Sequence, residues 1–128
     1  MSRIAGIGTD VVEIGRIEAI LERQGERFAT RLLAAGELAK WREKGGSGRY
    51  LAKRFATKEA AAKALGTGIA DGIRFSDIET VHDERGKPLL RFHAAAARRC
   101  AELGITGSEL SVSDERHYAV AFVVLTGD

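Results

Sequence analysis

The stretch Arg54-Phe55-Ala56-Thr57-Lys58-Glu59-Ala60-Ala61-Ala62-Lys63-Ala64-Leu65-Gly66-Thr67-Gly68 decides how the rest of this sequence is interpreted. Its alanines, leucine and lysines favour a helix, and Gly66 is well placed to end it. We predict that this helix begins near Arg49 or Tyr50 and runs through Leu65. Glu59 and Lys63 are four positions apart and therefore share one helix face.

Two interpretations of the Glu59–Lys63 pair are compatible with this spacing. An exposed pair of this kind contributes only about 0.2–0.5 kcal/mol to helix stability and needs no further role. However, the small alanine side chains beside the pair would let another backbone or a ligand approach closely. Which interpretation holds depends on what faces the helix.

The composition limits the size and the class of the protein. With 128 residues, 45% of them hydrophobic, the chain fits one domain spanning residues 1–128. The formal net charge is only +2, but 20 Lys and Arg leave room for basic patches that face an anionic partner. No apolar run approaches the roughly 20 residues of a membrane span. The single cysteine excludes an internal disulfide and no signal-peptide pattern follows Met1, so we expect a cytoplasmic protein.

The segment before the long helix is predicted to contain a strand and then helices. Residues 4–12 alternate as a strand does, and Gly6 and Gly8 leave one of its faces nearly bare. A bare strand face is weak unless another backbone packs against it. Helical spacing begins at Glu13 and is interrupted at Gly25.

The segment after the long helix is predicted to be mainly sheet. The expected elements are a hairpin of residues 73–82 with 87–92, a helix at 93–103, and a hairpin of residues 109–113 with 117–125. The last strand is apolar on both faces, which is typical of a central strand or of a strand at an oligomer interface. This order predicts an α+β fold with a largely antiparallel sheet wrapped around the long helix.

Asp10 lies near the end of the first strand, among apolar and glycine neighbours that would bury it. A buried carboxylate needs hydrogen-bond donors or a cation. Backbone N–H groups of the following turn could supply the donors. If Asp10 instead meets Glu59 in space, the two carboxylates repel each other unless a proton or a metal lies between them. Two acids that leave water positions free are typical of a Mg²⁺ site that also holds substrate phosphates.

Two segments together resemble a known family. They are Gly6-Ile7-Gly8-Thr9-Asp10-Val11-Val12-Glu13-Ile14 with Arg16-Ile17, and the stretch Arg54 to Ala64 with Gly66-Thr67-Gly68. Both closely resemble the signature motifs of the short-type 4′-phosphopantetheinyl transferases, the family of bacterial holo-acyl-carrier-protein synthases. The resemblance also includes Gly86-Lys87-Pro88 and the hairpin from Leu110 to Ala121. It implies that family's fold and transfer of the phosphopantetheine arm of coenzyme A to a serine of apo-acyl carrier protein. The released product would be 3′,5′-ADP, and the reaction would support fatty acid biosynthesis.

The resemblance also implies roles for individual residues. Asp10 and Glu59 would bind Mg²⁺, and Lys63 would act on the pyrophosphate and leaving-group side. Arg54 and Lys58 would hold phosphates of coenzyme A, and Gly66 would complete the cofactor-binding set. The general base stays open between Glu59 and a metal-bound water.

A homotrimer and an acidic carrier protein are the partners that the resemblance implies. The carrier would dock on Arg16, Arg23 and Arg27, with Phe28 as an apolar anchor. No catalytic role is assigned to the hairpin residues Asp114, Glu115 and His117. Two other functions remain open: a non-catalytic coenzyme A binding protein and a nucleic-acid binding module. The low aromatic content of 6% argues against the second, and we expect neither nucleic acid nor membrane as a partner.

Overall fold

The computed structural model describes residues 2–128. In chain order its elements are β1 (Arg3–Glu13), α1 (Ile14–Gln24), α2 (Glu26–Leu32), α3 (Ala35–Glu43), α4 (Gly48–Ala64), β2 (Ile78–His82), β3 (Pro88–Phe92), α5 (Ala94–Leu103), β4 (Ile105–Asp114) and β5 (Tyr118–Gly127). A short 3-10 turn at Phe75–Asp77 precedes β2, so this strand begins later than residue 73, where the sequence pattern placed it. In the part of the chain described, no helix combines the length and the apolar character needed to cross a membrane.

The strands are antiparallel, which confirms the predicted α+β class, but they form two sheets rather than one. One sheet has the order β1-β5-β4, and the other consists of β2 and β3. The last strand is therefore central in its sheet, as its two apolar faces predicted. Helix α4 packs across the three-stranded sheet, mainly against β1 and β5.

The two glycines of β1 set the distance between this strand and α4. A Cβ atom added at Gly8 would lie 1.9 Å from the carbonyl oxygen of Ala60, and one added at Gly6 would lie 2.0 Å from that of Ala64. The strand backbone thus lies directly on the helix backbone, as the bare strand face predicted. Asp10 follows on the same strand face, because side chains two positions apart in a strand point the same way.

The core is built around α4, whose alanines Ala52, Ala56, Ala60, Ala61 and Ala62 are fully buried. Apolar side chains from both sheets and from the other helices close around them. Three charged side chains, Glu37, Arg54 and Lys58, are also buried in this core. Because burying a charge is costly unless it is paired, these three residues require an explanation.

The opposite face of the three-stranded sheet is open and apolar. Ile7 and Val11 of β1 are 60% and 61% exposed, and Phe122 of β5 is 47% exposed. Thr9 and Phe122 are cross-strand neighbours, as are Val11 and Val120, so these side chains form a continuous patch. A contiguous apolar patch of this kind is typical of an interaction surface.

Candidate active site

Asp10 and Lys63 meet where β1 crosses α4. The Nζ atom of Lys63 lies 3.1 Å from Oδ1 of Asp10 and donates a second hydrogen bond of 3.0 Å to the carbonyl oxygen of Thr9. The side chain of Lys63 is 51% exposed and that of Asp10 is 17% exposed. Asp10 is therefore held by a lysine that solvent can still reach.

Glu59 lies one helical turn before Lys63 and belongs to the same cluster. Its pKa is raised above the ordinary value, first by partial burial and then by the negative charge of Asp10, whereas Lys63 lowers it. Because Lys63 contacts Asp10 and shares a helix face with Glu59, the two carboxylates lie on the same side of α4. The structure thus brings together Asp10, Glu59 and Lys63, which the sequence assigned to catalysis.

The donor set of this cluster fits a hard divalent cation. Two carboxylates supply oxygen ligands and leave further positions for water or phosphate oxygens, as Mg²⁺ sites do. Among residues 2–128 no group of three or more His, Cys, Asp or Glu side chains is placed to hold a metal ion, so this site offers two carboxylates. The Lys63 ammonium beside Asp10 shows that the site already attracts positive charge. Asp10 and Glu59 are accordingly the residues that would hold the ion.

Lys58 does not reach this site. It is fully buried, and its Nζ atom donates hydrogen bonds to Oε1 of Glu37 (2.7 Å), to the carbonyl oxygen of Phe75 (3.0 Å) and to that of Ile78. Its pKa is lowered by burial, although Glu37 partly restores it. An ammonium group has three protons to donate, and all three have partners inside the core. The expectation that Lys58 holds a phosphate of coenzyme A does not fit this position and is corrected to a structural role.

Arg54 occupies an intermediate position, buried in the core but at the edge of a cleft. Its side chain is 6% exposed, its Nε atom lies 3.5 Å from Oε2 of Glu37, and its Cζ atom lies 4.6 Å from the centre of the Tyr50 ring. Nε is buried and makes no hydrogen bond within the described residues. Unlike Lys58, Arg54 lines a cleft and stays available as a candidate ligand for a phosphate.

The cleft beside Arg54 is basic and has a volume of about 410 Å³. We call it the basic cleft; its lining side chains include Lys44, Arg49, Lys53, Arg54 and His82. The pKa of His82 is lowered, first by burial and then by the positive charges of Arg54, Lys40, Lys44 and Lys53. A concentration of positive charge in a concave site is suited to an anionic ligand.

Comparisons with known proteins show the family of this chain. Residues 6–123 match the 4′-phosphopantetheinyl transferase superfamily. A holo-[acyl-carrier-protein] synthase from Halorhodospira halophila is 61% identical over 122 residues, which cover 95% of this chain and 97% of that protein. The chain belongs to the holo-[acyl-carrier-protein] synthase family. The chain is therefore an enzyme, and the resemblance to this family that the two sequence motifs indicated is confirmed.

Solved structures of this enzyme family show the same fold. The crystal structure of the synthase from Neisseria meningitidis has a TM-score of 0.90 and 44% identity, covering 96% of this chain and 98% of that one. The Helicobacter pylori synthase in complex with coenzyme A has a TM-score of 0.81 and 31% identity, covering 93% and 98%. The expected phosphopantetheinyl transferase fold is therefore confirmed.

Gly66 lies where α4 ends in this enzyme. Its φ of 80° is in the left-handed region that glycine adopts without strain, so it stops the helix as predicted. The carbonyl oxygen of Leu65 beside it accepts a 3.0 Å hydrogen bond from Nε of Arg99. Gly66 and Arg99 also line a surface cleft of about 400 Å³.

The face expected to bind the carrier protein needs one correction. Arg16, Arg23 and Arg27 are exposed on α1 and α2, as the docking hypothesis requires. Phe28 is only 9% exposed and belongs to the hydrophobic core. It stabilises α2 from inside and does not fit the expected role of a surface anchor.

The tip of the β4–β5 hairpin is tied to the start of α4 by Arg49. Its guanidinium bonds to Oδ2 of Asp114 at 2.9 Å and to the carbonyl oxygens of Glu115 (2.7 Å) and Arg116 (3.2 Å). These contacts lower the pKa of Asp114, with the Arg49 hydrogen bond as the largest cause. His117 is exposed next to this tip. Asp114 and Glu115 thus have structural partners here, and His117 has no assigned role.

Sequence reasoning missed Glu37. It is 1% exposed, and its carboxylate accepts hydrogen bonds from Lys58, from the backbone N–H of Ala34 and from that of Thr80, the last two at 2.9 Å. A single glutamate in a short, weakly amphipathic helix gives no signal that it will be buried. Only the presence of two cationic residues on the buried side of α4 could have indicated that a carboxylate must lie opposite them.

Proposed function

We propose that this enzyme transfers the 4′-phosphopantetheine arm of coenzyme A to a serine hydroxyl of an apo-acyl carrier protein, with Mg²⁺ as its cofactor. The observation that carries the proposal is the meeting of Asp10, Glu59 and Lys63 beneath the close contact of β1 and α4. A role in fatty acid biosynthesis and a cytoplasmic location belong to the same proposal.

The reaction is a phosphoryl-type transfer. The serine Oγ atom attacks the β-phosphorus of coenzyme A, the bond from that phosphorus to the bridging oxygen breaks, and 3′,5′-ADP leaves with the electron pair. The serine proton passes to a base, for which the Glu59 carboxylate is one candidate. A bound Mg²⁺ would neutralise the pyrophosphate charge.

Lys63 is placed so that its ammonium group can move from Asp10 to a phosphate of the substrate. Its exposed ammonium is within reach of Asp10 and of solvent, so it can turn to a phosphate oxygen without breaking a buried network. Positioning and charge neutralisation are the main sources of catalysis in phosphoryl transfer. Lys63 supplies both on the leaving-group side.

The nucleotide part of coenzyme A is assigned to the basic cleft. The Helicobacter pylori relative was solved in complex with coenzyme A, and the cleft offers several cations to its phosphates. Arg54 is proposed to bind one of these phosphates.

The decisive experiment is a transfer assay. The protein is incubated with coenzyme A, Mg²⁺ and an apo-acyl carrier protein, and the carrier is weighed by intact mass spectrometry. The expected result is a carrier heavier by one phosphopantetheine arm, with little product after Glu59→Gln. If several carriers stay unmodified while coenzyme A still binds, the protein is a non-catalytic coenzyme A binder and the proposal fails.

The acidic carrier is proposed to dock on the exposed arginines of α1 and α2. Reversing a charge with Arg16→Glu should raise the KM for the carrier much more than the KM for coenzyme A, and added salt should reduce the difference. Equal changes in both KM values would mean that the docking surface lies elsewhere.

The open apolar face of the three-stranded sheet is proposed to be buried in a homotrimer. Ile7, Val11 and Phe122 would leave solvent in that assembly, which accounts for their exposure in the single chain. Light scattering should give three times the chain mass, and Phe122→Asp should shift the distribution to monomers. An active monomeric protein would contradict this assembly.

A further inference from the structure

Glu37 has no assigned function, yet it links the buried charges of the core to the wall of the basic cleft. One carboxylate oxygen, Oε1, bonds to Nζ of Lys58 at 2.7 Å. The other, Oε2, lies 3.5 Å from Nε of Arg54. The carboxylate thus contacts one cation enclosed in the core and one that lines the cleft.

The backbone holds Glu37 in place from two further sides. Both oxygens also accept backbone hydrogen bonds, from Ala34 on Oε1 and from Thr80 on Oε2. The carbonyl oxygen of Glu37 accepts the hydroxyl of Tyr50 at 3.2 Å. Helices α3 and α4 and strand β2 therefore fix the carboxylate together, and it cannot follow a moving guanidinium.

Arg54 is confined between this carboxylate and the Tyr50 ring. The ring lies 4.6 Å from Cζ, close enough for a cation–π contact. The unbonded Nε atom points into the core, where Glu37 supplies only a charge contact. Arg54 is nevertheless one of the residues that line the cleft.

We propose that Glu37 is a positioning residue for phosphate recognition, holding the Arg54 guanidinium at the wall of the basic cleft so that its terminal nitrogens face the bound anion. This inference rests on the proposed function in so far as the anion is a phosphate of coenzyme A. Arg54 without Glu37 keeps its charge but loses its fixed orientation, and an unoriented guanidinium binds a phosphate less well.

The test is a double-mutant cycle on equilibrium binding of 3′,5′-ADP by titration calorimetry. Glu37→Gln should weaken binding about tenfold, the cost of one charge-assisted contact. Arg54→Met should weaken it by at least as much. The double variant should bind no more weakly than Arg54→Met alone, because Glu37 acts through Arg54. Fully additive losses, or an unchanged affinity in folded Glu37→Gln, would overturn the inference.

Two controls separate positioning from general loss of stability. Leu32→Ala removes a buried apolar side chain of α2 that takes no part in the Glu37–Arg54 contact, and it should lower stability without changing the affinity. If Glu37→Gln does not fold, Glu37→Gln combined with Lys58→Met removes both charges of the buried pair and takes its place in the cycle. In the transfer assay Glu37→Gln should raise the KM for coenzyme A and leave kcat nearly unchanged.

Failure of the proposed function would be recognised separately. In that case the wild-type protein modifies no carrier. If it still binds 3′,5′-ADP, the cycle is interpreted as above; if it does not bind 3′,5′-ADP, a second probe is needed. The same cycle is then read with inorganic pyrophosphate as the probe. A loss of pyrophosphate affinity that is shared by Glu37→Gln and Arg54→Met still supports positioning, whereas a wild-type protein that binds no pyrophosphate overturns it.

Discussion

Lys58 and Lys63 lie on the same helix, five positions apart, and both pair with a carboxylate, but their surroundings are opposite. The pair of Lys58 with Glu37 is buried in the core, with exposed fractions of 0% and 1%. The pair of Lys63 with Asp10 reaches solvent, with exposed fractions of 51% and 17%. One lysine is enclosed by its partners, whereas the other can exchange its partner for a ligand.

The difference shows which kind of ion pair can take part in chemistry. A buried pair cannot separate without leaving an uncompensated charge in the core. A pair at the surface separates at little cost, since water and a phosphate can replace each partner. Arg54 stands between the two cases, because it is anchored to Glu37 inside and lines a cleft outside.

The largest expected effect contrasts the two lysines directly. Lys58→Met should lower the free energy of unfolding by about 3 kcal/mol or more, because Glu37 then stays buried without its main counter-charge. Lys63→Met should change it by less than about 1 kcal/mol. Urea unfolding measures both values, and a single fixed protein concentration keeps the contribution from assembly the same for both variants.

Catalysis should show the reverse order for the two lysines. Lys63→Met should reduce kcat by about a hundredfold or more, as the loss of a charge-stabilising group in an active site does. Any Lys58→Met protein that folds should keep most of its turnover. A Lys58→Met variant with normal stability and lost turnover would mean that Lys58 contacts the substrate, contrary to its position in the core.

A smaller effect is expected from changing Gly8, whose contact with α4 brings Asp10 close to Lys63. Gly8→Ala places a Cβ atom 1.9 Å from the carbonyl oxygen of Ala60, so β1 must move away from α4. We expect a loss of about 1–3 kcal/mol in stability, together with weaker Mg²⁺ binding, because Asp10 moves with the strand. Gly15→Ala is the control, because among the described residues no atom outside the backbone of its own helix and its chain neighbours lies within 4 Å of the added group. If Gly8→Ala binds Mg²⁺ as tightly as the wild type, the contact of β1 with α4 at Gly8 does not control the position of Asp10.

Much of the fold was predictable because local patterns determine it. The alanine-rich helix, the glycine face of β1 and the alternation of β5 each give a periodic signal, and the structure confirms all three elements. The division into two sheets was not predictable, since it depends on where β2 and β3 pack rather than on their own residues. The late start of β2 was missed because Phe75–Asp77 forms a 3-10 turn within an apolar pattern.

The site was predictable only in part, for a different reason. Helix geometry shows that Glu59 and Lys63 share a face, but the resemblance of two motifs was needed to give them a role and to place Asp10 beside them. Lys58 and Phe28 were misassigned because their sequence neighbours do not show which side of a helix faces the core. The burial of Lys58 depends on Glu37, which comes from a different helix and whose sequence context gives no signal.

The smallest expected effect concerns His82, at the rim of the basic cleft. Its pKa is lowered from 6.5 by burial and by neighbouring cations, so between the folded-state value and 6.5 the unfolded chain binds its proton more readily. Protonation therefore favours the unfolded state, and this contribution to stability is lost as the pH falls through about 6.5. The free energy of unfolding of wild type and of His82→Gln is measured at about pH 7.5 and pH 5.5, and the variant should lose less stability on acidification.

The same measurement with 3′,5′-ADP tests whether the nucleotide binds in the cleft. A phosphate in the cleft favours the protonated imidazole, so 3′,5′-ADP should reduce the difference in acid-induced stability loss between the two proteins. If the ligand changes nothing, the nucleotide binds away from His82, and the assignment of the nucleotide to the basic cleft is wrong.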